Sequence, residues 1–464
     1  MNTTTPPKPE SPIDELKSRV HAKLLGSIDL AQARQLPEET LRRECAARVE
    51  TLLREEGAPL SSQEKERLVT QVINEIFGYG PLEDLLADPE ISDILINGPQ
   101  QIYVEKSGRL EVAPVTFRDD DHLQQVIQRI AAGMGRRVDE ASPMLDARLP
   151  DGSRVNAIIP PLALDGCSVS IRRFGRIPFD TKKLVEVGAM TPQMMRFLEA
   201  AVASRMNIVI SGGTGSGKTT LLNVLSKCIP DGGRVITIED AAELQLQQDH
   251  VVRLETRPAN IEGKGLITQR DLVKNALRMR PDRVVIGECR GSEALDMLQA
   301  MNTGHDGSMT TVHSNGTRDT IRRLESMVSI AGINYPINTI RQQISSAVQL
   351  LVHADRLTGG PRKIMAISEI TGMESDAVLL QDIFKFVQTG IDERGNATGY
   401  HESCGVRPKC LDRIRSEGHD VPDDLFFGGK LNAGGAPEAV PGATAQIRMV
   451  RDVPGSGGLG KGAA

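Results

Sequence analysis

Residues 211–220 read SGGTGSGKTT, and no other stretch restricts the fold of this chain as tightly. Gly212, Gly217, Lys218 and Thr219 satisfy G-x-x-x-x-G-K-[ST], with Gly213, Thr214, Gly215 and Ser216 inside the pattern and Thr220 directly after it. Glycines let the main chain wrap a phosphate closely, so that backbone N–H groups and the positive end of a following helix face the anion. Lys218 can then reach β and γ phosphates, and Thr219 can hold magnesium. The loop needs a strand before it and a helix after it. The apolar run NIVIS and the helical pattern TTLLNVLSKC supply both.

The flanking sequence repeats that alternation. Strands are expected at 207–211, 234–240, 282–288 and 308–314 and in AVQLLVHA and KIMAISEI, with helical patterns between the earlier ones. Strand and helix in alternation predict an α/β domain with a mostly parallel sheet covered on both faces, here over residues 190–430. Upstream the pattern is different. Residues 1–12 are rich in Pro and Thr and are expected to be disordered. Residues 13–78 carry apolar positions at helical spacing (Leu41, Cys45, Val49, Leu52, Leu53, Leu68, Val72, Ile76) and form a helical accessory domain. Residues 79–177 alternate in short runs broken at Ser107-Gly108 and Pro150-Asp151-Gly152, which predicts a smaller α+β domain. Residues 178–189 read as a linker, and 431–464, rich in Gly, Ala and Pro, as a flexible tail.

Three further segments carry candidate chemistry. DRVVIGECRG ends an apolar strand where a magnesium-binding aspartate is usual, yet Gly287 occupies that slot and Glu288 follows it. Glu288 is placed beside the phosphate loop to orient an attacking water or a magnesium-bound water. IEDAAEL closes the preceding strand with Glu239, Asp240 and Glu243; Glu239 is the catalytic candidate, and Glu243 reads as an acidic helix start. In TGHDGSMTTVHSN, His313 ends a Thr-rich strand and can sense a γ-phosphate, with His305 the weaker histidine. The TGHDGS segment is expected near Lys218.

Composition narrows the function classes. Lys and Arg total 55 against 61 acidic residues, a net charge of −6, so no general attraction to nucleic acid exists. Aromatics are 3% with no Trp, which removes most stacking platforms for single strands. Six cysteines without a C-x-x-C pair suit a reducing, cytoplasmic setting. No apolar run reaches the ~18 residues of a membrane-spanning helix. A guanine-reading N-K-x-D is excluded, since the chain has no Asn-Lys pair. His401, Cys404, Cys410 and His419 form a histidine and cysteine series, but its spacing is not a regular zinc pattern.

The four boxes in order resemble the secretion ATPases of the type II and type IV superfamily. FGYGPLEDLLADPEISDILING, RLPDGSRVNAIIPP and SIRRF most resemble the CpaF-type tight-adherence (Tad/Flp) pilus assembly ATPases, and the resemblance spans about Phe77 to Phe427. In that family the strand ends in Gly-Glu, so Gly287-Glu288 is the expected form. The resemblance implies a RecA-like P-loop domain that binds ATP and magnesium, a homohexameric ring, and a membrane-embedded platform of a pilus or secretion apparatus as partner. It gives Glu288 the strand-end role, Glu239 the acidic-box role and His313 the histidine-box role. It also points to Arg172 in SIRRF, with Arg173 beside it, as phosphate-reaching residues of the domain upstream; Arg278, Arg280 and Arg290 are further candidates. Type II relatives often carry a four-cysteine zinc module, and this chain has none. A type IV secretion or conjugation ATPase and a non-catalytic ATP-binding scaffold remain the alternative readings.

Overall fold

Apolar spacing of three and four residues through the N-terminal region produces three helices, α1 (Pro12–Ser27), α2 (Glu38–Glu55) and α3 (Ser62–Phe77). The computed structural model describes residues 12–27, 37–106, 109–173, 179–257, 259, 264–332 and 335–431. The expectations for residues 1–11, the Ser107-Gly108 turn and the tail beyond 431 lie outside them. The chain divides into two units, Met1–Ile177 and Pro178–Ala464.

In the first unit the three helices bury Leu16, Val20, Leu24, Cys45, Val49, Leu52, Leu53, Leu68 and Val72 against one another. A reciprocal cap starts α3: the Ser61 hydroxyl accepts from Glu64 N while the Glu64 carboxylate accepts from Ser61 N. After the short α4 (Leu82–Ala87) come β1 (Ile91–Asn97), β2 (Ile102–Lys106), β3 (Arg109–Val112), α5 (Asp120–Gly133), β4 (Met144–Arg148), β5 (Arg154–Ile158) and β6 (Ser168–Arg172). The strands form one sheet in the order β3-β2-β1-β6-β5-β4, with every pairing antiparallel. Leu123, Val126, Ile127 and Ile130 of α5 share its core. Glu75 joins bundle to sheet domain: its carboxylate meets Lys17 Nζ at 2.7 Å and His122 Nε2 at 2.8 Å, and its carbonyl accepts from Arg129 at 2.9 Å. Burial would raise this carboxyl, but the His122 bond and the Lys17 ammonium outweigh it and bring it to about 2.

The second unit holds α6 (Thr181–Glu186), α7 (Pro192–Ala203), β7 (Ile208–Gly212), α8 (Lys218–Ser226), β8 (Val235–Glu239), β9 (Val251–Glu255), α9 (Gln269–Ala276), β10 (Arg283–Cys289), α10 (Glu293–Asn302), β11 (Met309–His313), α11 (Thr317–Ile330) and α12 (Ile337–Ala347). Then follow β12 (Leu350–Arg356), β13 (Arg362–Glu374), β14 (Ala377–Ile391), β15 (Ala397–Ser403), α13 (Cys410–Ser416) and β16 (Gly429–Leu431). Ten strands make one sheet in the order β16-β15-β14-β13-β12-β7-β11-β10-β8-β9. The fold is α/β. Strands β12 to β9 in that order are parallel, while β13 to β16 extend the sheet by antiparallel pairing. The parallel half therefore matches the expectation and the antiparallel half enlarges it. Ile208 and Ile210 enter one core and Val209 the other, so β7 is apolar throughout because both its faces are covered. Among the described residues no helix is long and apolar enough to cross a membrane.

Asn207 ties the entry to this sheet. Its Nδ2 donates to the carbonyls of Met301 and Ala347, and its Oδ1 accepts from Gly307 N and Ser308 N. Nothing in MNIVI marks that role. Asn207→Ala leaves those buried groups without partners and is expected to cost about 3 kcal/mol, read as a lower midpoint in denaturant unfolding.

Candidate active site

The loop after β7 takes the shape its glycines permit. Gly215 and Gly217 have φ of 70° and 93°, in the left-handed region, and a Cβ on Gly212 would lie 2.1 Å from the Ala354 carbonyl oxygen. Gly213 faces open space, and Thr214 is exposed. Lys218 opens α8 and is only 7% exposed; its Nζ donates to the Gly213 carbonyl at 2.8 Å and meets His313 Nε2 at 3.2 Å. Thr219 and Thr220 are half-buried in the first turn of α8. Ser216 Oγ is buried inside the loop with no hydrogen-bond partner.

Glu288 is not on the strand next to the loop. The sheet inserts β11 between β7 and β10, and His313 at the end of β11 fills the gap. His313 Nε2 lies 3.3 Å from Glu288 Oε1. Partial burial and the Lys218 charge lower the imidazole pKa against the pull of Glu288, so the neutral ring accepts from Lys218. The other Glu288 oxygen receives Arg290 Nη2 at 2.6 Å and Nε at 3.0 Å, and Arg290 Nη1 reaches Asp240 at 3.2 Å. Lys218, His313, Glu288, Arg290 and Asp240 thus form one line across the carboxyl ends of the strands.

Glu239 sits beside that line, 3% exposed at the end of β8. Its Oε2 accepts from Glu243 N at 2.7 Å and Leu244 N at 3.0 Å, while Oε1 is buried with no partner. Burial raises the carboxyl to about 6 against those two bonds. No helix starts at Glu243, contrary to the expectation; residues 242–247 are irregular, and the Glu243 amide serves Glu239. The geometry also accounts for Gly287: a Cβ there would lie 3.0 Å from Glu239 Cγ. The slot is glycine because the Glu239 side chain passes over it.

Other expected residues fall elsewhere. TGHDGS precedes β11, and Ser308 O receives Ile208 N at the start of β7, so this segment lies at the opposite end of the strands from Lys218. Five residues of strand, about 16 Å, separate the two ends, and His305 packs against the Ala300 carbonyl. Arg172 ends β6, exposed, in cross-strand register with Asp93 and Arg154. Arg173 bonds the Asp88 carbonyl of its own unit. Arg278 turns back onto the Lys274 carbonyl, and Arg280 is an exposed residue with φ of 54°. His401 is buried against Phe386 and donates to the Ile364 carbonyl, and Cys410 lies in the core. Among the described residues no group of three or more His, Cys, Asp or Glu is arranged to hold a metal ion. Sequence reasoning missed Arg356 and Arg362, which flank Gly215; their setting, DRLTGGPRK, reads only as a charged turn.

Two family models match the chain over most of its length. The family described as type II/IV secretion system protein matches residues 75–380, and the N-terminal domain of type II secretion system protein E matches residues 13–77. The chain belongs to the type II/IV secretion system protein family. Within that family it is 34% identical over 298 residues to the conjugal transfer protein TrbB of Rhizobium radiobacter, covering 63% of this chain and 87% of that protein. It is 32% identical over 319 residues to the type IV secretion system protein VirB11 of Brucella suis biovar 1 (strain 1330), covering 62% and 87%. Among solved structures, the VirB11 ATPase from the Brucella suis type IV secretion system in complex with sulphate is 30% identical, with a TM-score of 0.35, and covers 63% of this chain and 97% of that one.

Gly287→Ala must push Glu239 aside and is expected to cost about 1–3 kcal/mol. Gly213→Ala, whose Cβ meets open space, should be neutral to stabilising. Denaturant unfolding of the two variants side by side checks the difference.

Proposed function

We propose that this chain is an ATP-hydrolysing motor of a secretion or pilus-assembly machine. The observation that carries the reading is the line from Lys218 through His313 to Glu288 at the open end of the phosphate loop. Lys218 and the loop amides hold the β and γ phosphates. Glu288, with Glu239 behind it, orients the attacking water and takes up its proton. His313 stands between the two: its Nε2 accepts from Lys218 Nζ and only abuts Glu288 Oε1, which has no hydrogen-bond partner and is free to take a water or a polar ligand.

Oxygen donors suited to magnesium are present in Thr219 and Glu288, the latter through water, and the orphaned buried oxygens of Ser216 and Glu239 are groups a polar ligand would satisfy. Bound with the nucleotide, magnesium would neutralise phosphate charge. A cavity of about 250 Å³ beside Gly217 and Thr220, walled by Leu184, Val187, Leu221 and Pro361, offers apolar surface for an adenine ring. On this reading Arg172, exposed at the end of β6, supplies a guanidinium to the phosphate charge.

On this reading the motor works as a cytoplasmic homohexamer on a platform in the inner membrane. The stretches between Phe77 and Phe174 support pilin of a Tad/Flp pilus as cargo. The matches to TrbB and VirB11 favour a second reading, a type IV secretion or conjugation motor. Net charge of −6 argues against a direct grip on DNA.

Phosphate release as a function of protein concentration tests the motor, because a site completed between subunits loses specific activity on dilution. Constant activity per chain down to the monomer would remove the ring. Glu288→Gln should keep nucleotide binding and lower turnover by about 10²–10⁴-fold, whereas Lys218→Ala should weaken binding itself in a nucleotide titration. Glu239 is protonated below about 6 and ionised above it. Turnover that uses its carboxylate therefore rises with pH through about 6, and Glu239→Gln should abolish that limb of the profile.

A further inference from the structure

The turn between β12 and β13 is packed against the phosphate loop of its own unit. Arg356 ends β12 and Arg362 begins β13, directly opposite each other in register. The residues between them close as a tight turn, with Leu357 N bonded to Pro361 O at 2.8 Å and Gly360 N to Leu357 O at 3.0 Å. Arg362 Nε donates to the Gly215 carbonyl at 2.8 Å. On the same glycine, a Cβ would lie 3.6 Å from an Arg356 guanidinium nitrogen, and a Cβ on Gly217 would lie 3.5 Å from Arg362 Cδ. With Ala354 O against Gly212, three glycines of the loop abut this one hairpin.

A loop of glycines is costly to order, because each has more freedom to lose than any other residue. A trans peptide points its carbonyl and the next N–H in opposite directions. Once Arg362 holds the Gly215 carbonyl outward, the Ser216 N–H is turned to the inside of the loop, where it and Lys218 Nζ both meet the Gly213 carbonyl. The inside of the loop is the place for an anion.

We propose that Arg362, with Arg356 beside it, is a positioning residue of the nucleotide site: a strap from the same unit that holds the loop in its anion-binding shape for any nucleoside polyphosphate. This rests on the reading of the loop as a nucleotide site. A strap acts before the terminal phosphate matters, so it contributes equally to di- and triphosphate. A guanidinium that touches the γ-phosphate contributes to the triphosphate alone. Lysine keeps the charge but lacks the planar Nε donor, so it restores part of the effect.

The test is calorimetric titration of the full chain with MgADP and with the non-hydrolysed MgAMP-PNP, together with steady-state kinetics on MgATP. For Arg362→Ala, affinity for both nucleotides should fall by about tenfold, the size of one partly exposed charged hydrogen bond. KM should rise by a similar factor while kcat changes by less than about twofold. Arg362→Lys should lie between the variant and the natural protein, with the nucleotide-free thermal midpoint of both variants retained. Unchanged affinity in a folded Arg362→Ala overturns the strap, as does a loss confined to the triphosphate or to kcat. If Arg362→Ala does not fold, Arg362→Lys decides alone, and natural affinity there overturns the proposal. No binding by the natural chain would instead sink the nucleotide reading itself.

Discussion

A buried ammonium governs this site. Lys218 stands at the start of α8 with little exposure, held by the Gly213 carbonyl and by a histidine whose ring is kept neutral. A positive charge in that position is stable only where acceptors surround it. The sheet order supplies the setting. Because β11 separates β7 from β10, His313 stands between cation and carboxylate, its Nε2 taken up by Lys218 and 3.3 Å from Glu288 Oε1.

The second carboxylate obeys a steric condition. Glu239 passes over the backbone of β10 at Gly287, where the lack of a side chain leaves it room. A side chain at residue 287 would crowd Glu239 in this position, with a Cβ 3.0 Å from its Cγ. Two acidic residues on β8 and β10 therefore replace one acidic residue at the usual slot, and their surroundings differ. Glu239 is buried, which raises its carboxyl to about 6, whereas Glu288 is matched to Arg290. Such separation of environments lets two like groups take different parts in proton transfer.

What the sequence disclosed depended on how local each signal was. The phosphate loop, Glu239, Glu288 and His313 were legible because each closes or follows an apolar run whose direction fixes its end of the sheet. Strand neighbourhood was not, since periodicity carries no information about which strands pair, and the placing of β11 with His313 between Glu288 and the loop was not foreseen. The TGHDGS segment was misplaced because adjacency to His313 in sequence hides the fact that a strand separates its two ends. Strands β14 and β15 escaped notice because much of their surface is exposed and polar residues interrupt their apolar positions, as in β14 after Leu380. Arg362 was invisible for a related reason: a charged residue after Gly-Gly-Pro looks like any solvated turn until the hairpin is folded against the loop.

The Glu75 joint bears on how the first unit is held together. One carboxylate side chain, with its own carbonyl, draws together a lysine from α1 and a histidine and an arginine from α5. The helical bundle is thus fastened to its sheet domain at a single carboxylate, and protonating that group would weaken its hold on α1 and α5 together.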